Sequence, residues 1–144
     1  MVDRDALSAR LSALDGYLAE LRGFADLNRS TFVENPAVHH LAERYLHLAC
    51  ECVLDIAHHV ISERGYRQSK SYRDAIEVLR EEGHLDDALA RNLQGWMGFR
   101  NVLVHIYLEI DHGRSYDIIA EELGDLDRFA RSMAELLAGC DEGT

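Results

Sequence analysis

"NPAVHHLAERYLHLACECVLDIAHHVISERG", residues 35–65, settles the fold class. Asn35 has the side chain of an N-cap, Pro36 presets the first helical position, and Gly65 supplies a stop, so the spacing predicts a helix from Pro36 to about Glu63. Apolar residues cover most of its circumference, which buries it on several sides. Across this run His40, Glu43, His47, Glu51, Asp55 and His59 recur at three- or four-residue intervals and share one stripe. Such a stripe can face solvent, line a cleft or partner interface, or ligate metal. The other helices do not supply the matching Glu and Glu-x-x-His sets of a di-metal bundle, so no metal is assigned.

The same periodicity extends both ways along the chain. A first helix over roughly 3–27 repeats Leu7, Leu11, Leu14, Leu18, Leu21 and Phe24 on one face. Ser71 followed by Asp74 resembles a capping box opening a short third helix that ends near Gly83, and Asp86 can cap a fourth. Asp111-His112-Gly113 reads as a turn. A last helix from about Ser115 to Ala138 places Ile118, Ile119, Leu123, Leu126, Phe129 and Met133 on its core face and tolerates Gly124. No segment alternates with period two, so the expectation is an all-α, up-and-down bundle of about five helices forming one domain over 1–144.

The totals narrow the function. Fifteen Lys and Arg against 26 Asp and Glu give a net charge of −11, which opposes general attraction to nucleic acid and requires any such contact to be local. The candidate is "SERGYRQSKSYR", residues 62–73, where Arg64, Arg67, Lys70 and Arg73 interleave with Tyr66 and Tyr72. Arg64, Arg67 and Lys70 are candidate RNA contacts, with a solvated connector as the plainer reading. No stretch is apolar enough to span a membrane and no secretory leader is evident, so a cytoplasmic location is expected. Cys50, Cys52 and Cys140 read as small buried hydrophobes in a reducing compartment.

The fourth helix carries "GFRNVLVHIYLEID", residues 98–111, and is apolar nearly all round. It is therefore expected to be buried within the subunit or against a second copy. A buried guanidinium at Arg100 needs a carboxylate, a phosphate or water in a cleft, and on the stripe of the long helix Glu51 and Asp55 are candidate cleft-lining residues. At about 100° per residue, Tyr107 lies some 20° from Arg100, whereas His105 lies about 140° around, near Asn101. One copy is thus not expected to point Arg100 and His105 the same way, and a two-fold interface would be needed to converge them.

The run Arg100-Asn101-Val102-Leu103-Val104-His105-Ile106-Tyr107 resembles the signature R-x4-H-x-Y of HepT-type toxins in the HEPN superfamily, and "ECVLDIAHHVI" at 51–61 looks like that family's second helix. The resemblance implies a toxin ribonuclease that works without metal or cofactor at a homodimer cleft, with Arg100 and His105 catalytic and Asn101 and Tyr107 accessory or substrate-binding. It also implies a cognate nucleotidyltransferase antitoxin of the MNT type that transfers AMP to Tyr107. The alternative is a non-catalytic helical partner, or substrate-presenting subunit, of such a nucleotidyltransferase. In either case Arg100 and His105 have the chemistry to bind a phosphate and move a proton.

Overall fold

In a computed structural model, residues 4–105 and 110–142 are described, with side chains through Gly139. Among them there is no strand. Seven helices follow in order: α1 (Arg4–Ala25), α2 (Arg29–Glu34), α3 (Pro36–Arg64), α4 (Tyr72–Glu81), α5 (Asp87–His105), α6 (His112–Glu121) and α7 (Gly124–Glu142). No helix among the described residues is long and apolar enough to cross a membrane.

The central helix α3 starts and stops on its local signals. The Asn35 side chain accepts from the Ala37 N–H at 3.1 Å, Pro36 occupies the first position, and Gly65 ends the helix in the left-handed region at φ 67°. Against α3 packs α1, whose Leu7, Leu14, Leu18 and Leu21 are fully buried. Each contributes about 1.5–3 kcal/mol of burial, so this seam dominates the core. Ser71 accepts from the Asp74 N–H at 3.0 Å to open α4, and Asp86 from the Leu89 N–H at 2.7 Å to open α5.

Two features depart from the five-helix expectation. Residues 29–34 form α2, a helix too short to stand on propensity alone. It is held by the Asn28 cap on Thr31 and by Phe32, fully buried between the rings of Phe24 and Tyr116. The expected last helix is two: α6 ends at Glu121 and α7 begins at Gly124, with the buried Leu123 in the turn between them. Moreover Asp111 is the N-cap of α6, accepting from the Arg114 N–H at 3.1 Å, so His112 and Gly113 are helical rather than part of a turn.

Polar side chains fix the remaining helices around the α1–α3 core. Asp125 is buried at the start of α7, where it accepts from Trp96 Nε1 at 3.2 Å and Asn92 Nδ2 at 3.1 Å and pairs with Arg128. That tie sets α7 against α5. The Tyr116 hydroxyl donates to the Leu27 carbonyl at 2.6 Å, setting α6 against the end of α1. Along α5, Leu89, Leu93, Trp96, Met97 and Leu103 are buried, while Phe99, Val102 and Val104 are half-buried.

Candidate functional site

The site is built where α5 crosses α3 and the start of α4. Arg100 is only 9% exposed, and because a guanidinium stays charged it requires partners in place. Glu51 of α3 supplies the main one, its Oε1 accepting from Arg100 Nε at 2.6 Å. Asn101 Oδ1 accepts from Nη1 at 3.2 Å, and the guanidinium carbon lies 4.7 Å from the centre of the Tyr72 ring. A cation over an aromatic face is held electrostatically by the ring quadrupole. Nη2 makes no hydrogen bond to a described residue.

Behind Glu51 a short polar relay runs along α3. His47 Nε2 lies 3.4 Å from Glu51 Oε1, and His47 Nδ1 lies 3.1 Å from Arg44 Nη1. Arginine can only donate, so Nδ1 is the acceptor and Nε2 carries the proton toward Glu51. The stripe of alternating charge and imidazole predicted on α3 is thus, over this stretch, the seam that receives Arg100. Asp55, one turn further, is exposed and does not line the cleft.

Ser71, Tyr72, Arg73, Arg100, Asn101 and His105 surround an open cleft of about 490 Å³, within the size range of small-ligand sites. Arg100 and His105 therefore border one open cleft on a single chain, although the helix wheel sets their side chains about 140° apart. The wheel angle describes where side chains leave the helix. It omits the reach of the arginine, whose guanidinium ends over Tyr72, and the width of the cleft, which spans the face between the two residues.

Ser71, Tyr72 and Arg73 are cleft residues that sequence reasoning left out of the site, and Arg73 is the charged one. It is exposed and has no carboxylate partner among the described residues. Its guanidinium lies over Gly98, where an added Cβ would stand 2.6 Å from Nη2. On α5, Gly98, Asn101 and His105 fall at about 160°, 100° and 140° from Arg100, so Arg73 is delivered to the face that carries His105. The signal was available in part: Arg73 lies off the α4 core face of Ala75, Ile76, Val78 and Leu79.

The other predicted contacts lie elsewhere. Arg67 is committed to two carboxylates, Asp74 at 2.8 Å and Glu81 at 2.8 Å. Its hydrogen bonds, and then its charge, hold both carboxyls below their ordinary range, and the same hydrogen bonds raise its own pKa. Lys70 is exposed beside this pair, its backbone N–H donating to Asp74, and Arg64 closes α3; neither lines the cleft. Tyr107 lies outside the described residues. Burial pushes the Cys50 thiol up to about 12 and raises that of Cys52, which removes both as nucleophiles near neutral pH.

Comparison with known proteins places this chain among relatives. A family profile described as ribonuclease HepT-like matches residues 14–133. The chain is 29% identical over 84 residues to the mRNA nuclease HepT of Shewanella oneidensis, covering 58% of this chain but 63% of that protein. It is 25% identical over 136 residues to the tRNA nuclease HepT of Aphanizomenon flos-aquae, covering 94% and 92% of the two chains. Among solved structures, a tri-AMPylated Shewanella oneidensis HEPN toxin in complex with MNT antitoxin superposes with a TM-score of 0.83 at 21% identity, over 94% of this chain and 99% of that one. At that identity the likeness is one of fold.

Proposed function

This chain belongs to the ribonuclease HepT-like family, and from that membership we propose that it is a toxin endoribonuclease whose cleaving site is the cleft around Arg100 and His105. The observation that carries the reading is the cleft itself, where a clamped guanidinium, an unpaired one and an exposed imidazole border one space. A phosphodiester fits such a set: Arg100 and Arg73 hold the non-bridging oxygens and offset the charge that develops on them. Neutral His105 takes the proton of the ribose 2′-hydroxyl as that oxygen bonds to phosphorus. The bond from phosphorus to the 5′-oxygen breaks, and the departing oxygen receives a proton from an imidazolium. The products are a 2′,3′-cyclic phosphate and a 5′-hydroxyl, and no metal enters the balance.

The chain acts as a homodimer in this proposal, because base and acid are both required and a second copy brings a second His105. Asn101 contacts substrate or steadies Arg100, as its bond to Nη1 suits it to do. The partner is a nucleotidyltransferase antitoxin of the MNT type, which transfers AMP to Tyr107, two positions after His105. The added negative charge then opposes RNA phosphate.

The test is cleavage of a defined RNA by the parent and by Arg100→Ala, with end-group analysis of the products. Loss of cleavage in the variant and a cyclic phosphate in the parent support the assignment; equal cleavage by both removes it. Intact mass after co-expression with a nucleotidyltransferase of the MNT type should show AMP-sized increments that vanish in Tyr107→Phe.

A further inference from the structure

A second polar cluster lies at the other end of α3. His39 and His40, early in α3, meet His112, the first residue of α6, and one ring nitrogen from each falls within 4.8 Å of the others. The His39 and His112 rings stack at 3.6 Å between centroids, and His40 stands edge-on to His39 at 4.5 Å. The outer nitrogens of the stacked pair are already assigned. His39 Nδ1 lies 3.2 Å from the Phe32 carbonyl, which can only accept, and His112 Nδ1 lies 2.6 Å from Glu43 Oε2. Each Nδ1 therefore carries a proton, which leaves Nε2 as the nitrogen that offers a lone pair when the ring is neutral.

This is the arrangement of histidines that ligate metal, where the far N–H is held by a carbonyl or carboxylate and the near nitrogen is free. Glu43 adds a second reason. It is 5% exposed, its Oε2 accepts from the Ser115 hydroxyl at 2.8 Å as well as from His112, and no lysine or arginine pairs with it among the described residues. A buried carboxylate calls for positive charge nearby, and a cation on His112 supplies it through the ring. His47, on the same cavity wall, is not a fourth ligand, since both its nitrogens are engaged by Arg44 and Glu51.

We propose that His39, His40 and His112 bind one zinc ion, seconded by Glu43 and the Phe32 carbonyl, in a site that fastens the start of α6 to the start of α3. Three imidazoles suit a borderline divalent cation at about 2.0–2.1 Å, with the fourth position open to an adjoining cavity of about 360 Å³. The stacked rings must splay for both lone pairs to meet one ion, and the part-exposed His112 and exposed His40 have room to do so. The ion is structural and stands apart from the cleavage cleft, so the proposal does not rest on the ribonuclease reading.

The experiment titrates tag-free, chelator-stripped full chain with Co2+ and then Zn2+, reading the visible absorption of tetrahedral cobalt and the heat of zinc binding. One equivalent should bind with a tetrahedral spectrum, His40→Ala and His112→Ala should each abolish it, and Glu43→Gln should weaken it by about 10–100-fold. His40 is exposed, so its variant keeps the fold. His58→Ala, elsewhere on α3, and Arg100→Ala should bind as the parent does. Binding without stoichiometry, or binding that survives His40→Ala and His112→Ala, would overturn the assignment. RNA cleavage is scored separately, so either reading can fail alone.

Discussion

Arg67 and Arg73 stand six residues apart in one basic run, and the fold gives them opposite surroundings. Arg67 is clasped by Asp74 and Glu81 on the outside of α4, its charge cancelled where it lies. Arg73, next to Asp74 in sequence, turns the other way and lies over Gly98 at the edge of the Arg100 cleft, with no carboxylate partner among the described residues. Local density of cations thus says little about where an acidic chain meets an anion. What decides is which cations the folded carboxylates leave unneutralised.

The largest effect that sharpens this contrast is at Arg100, the clamped cation whose cleft Arg73 borders. Arg100→Ala should lower RNA cleavage by about 10²–10³-fold, as loss of one preorganised charge-stabilising donor does, in single-turnover assays on folded protein. Arg73→Ala should weaken RNA binding, raise KM more than it lowers kcat, and reduce the salt slope of log affinity by about one, whereas Arg67→Ala should leave all three unchanged. Equal behaviour of the two variants would break the comparison.

Gly98→Ala should act as a milder Arg73 variant. The new methyl displaces the Arg73 guanidinium, while the helix gains about 1 kcal/mol of propensity, so KM should rise as the melting temperature rises. The smallest effect is on acid stability. Asp74 and Glu81 titrate below their ordinary range when folded, so their contribution is present above about pH 4 and is lost as pH falls through the folded values. Thermal melts across pH should show this acid limb in the parent and a shallower one in Arg67→Ala.

How much was legible follows from how local each signal is. The ends of α3, the cap of α4 and the start of α5 were readable because Asn35-Pro36, Gly65, Ser71 and Asp86 act within a turn of themselves. Helix α2 was not, since six residues with one buried phenylalanine fold only against Phe24 and Tyr116. The break before Gly124 was hidden because apolar spacing continues through it, Leu123 being buried from the turn itself. At the site, the need of Arg100 for a carboxylate, a phosphate or water was visible in the sequence, and Glu51 was named as a cleft-lining residue but not paired with it. Arg73 was not placed, because only the packing of α4 on α5 carries it to Gly98.

The central claim is that this cleft cleaves RNA with His105 as a proton-transfer group, and His105→Ala tests it most directly because the side chain is exposed and its loss spares the core. With helicity matched by circular dichroism, the cleavage rate of a defined RNA should fall by about 10²–10⁴-fold. An undiminished rate would contradict the account.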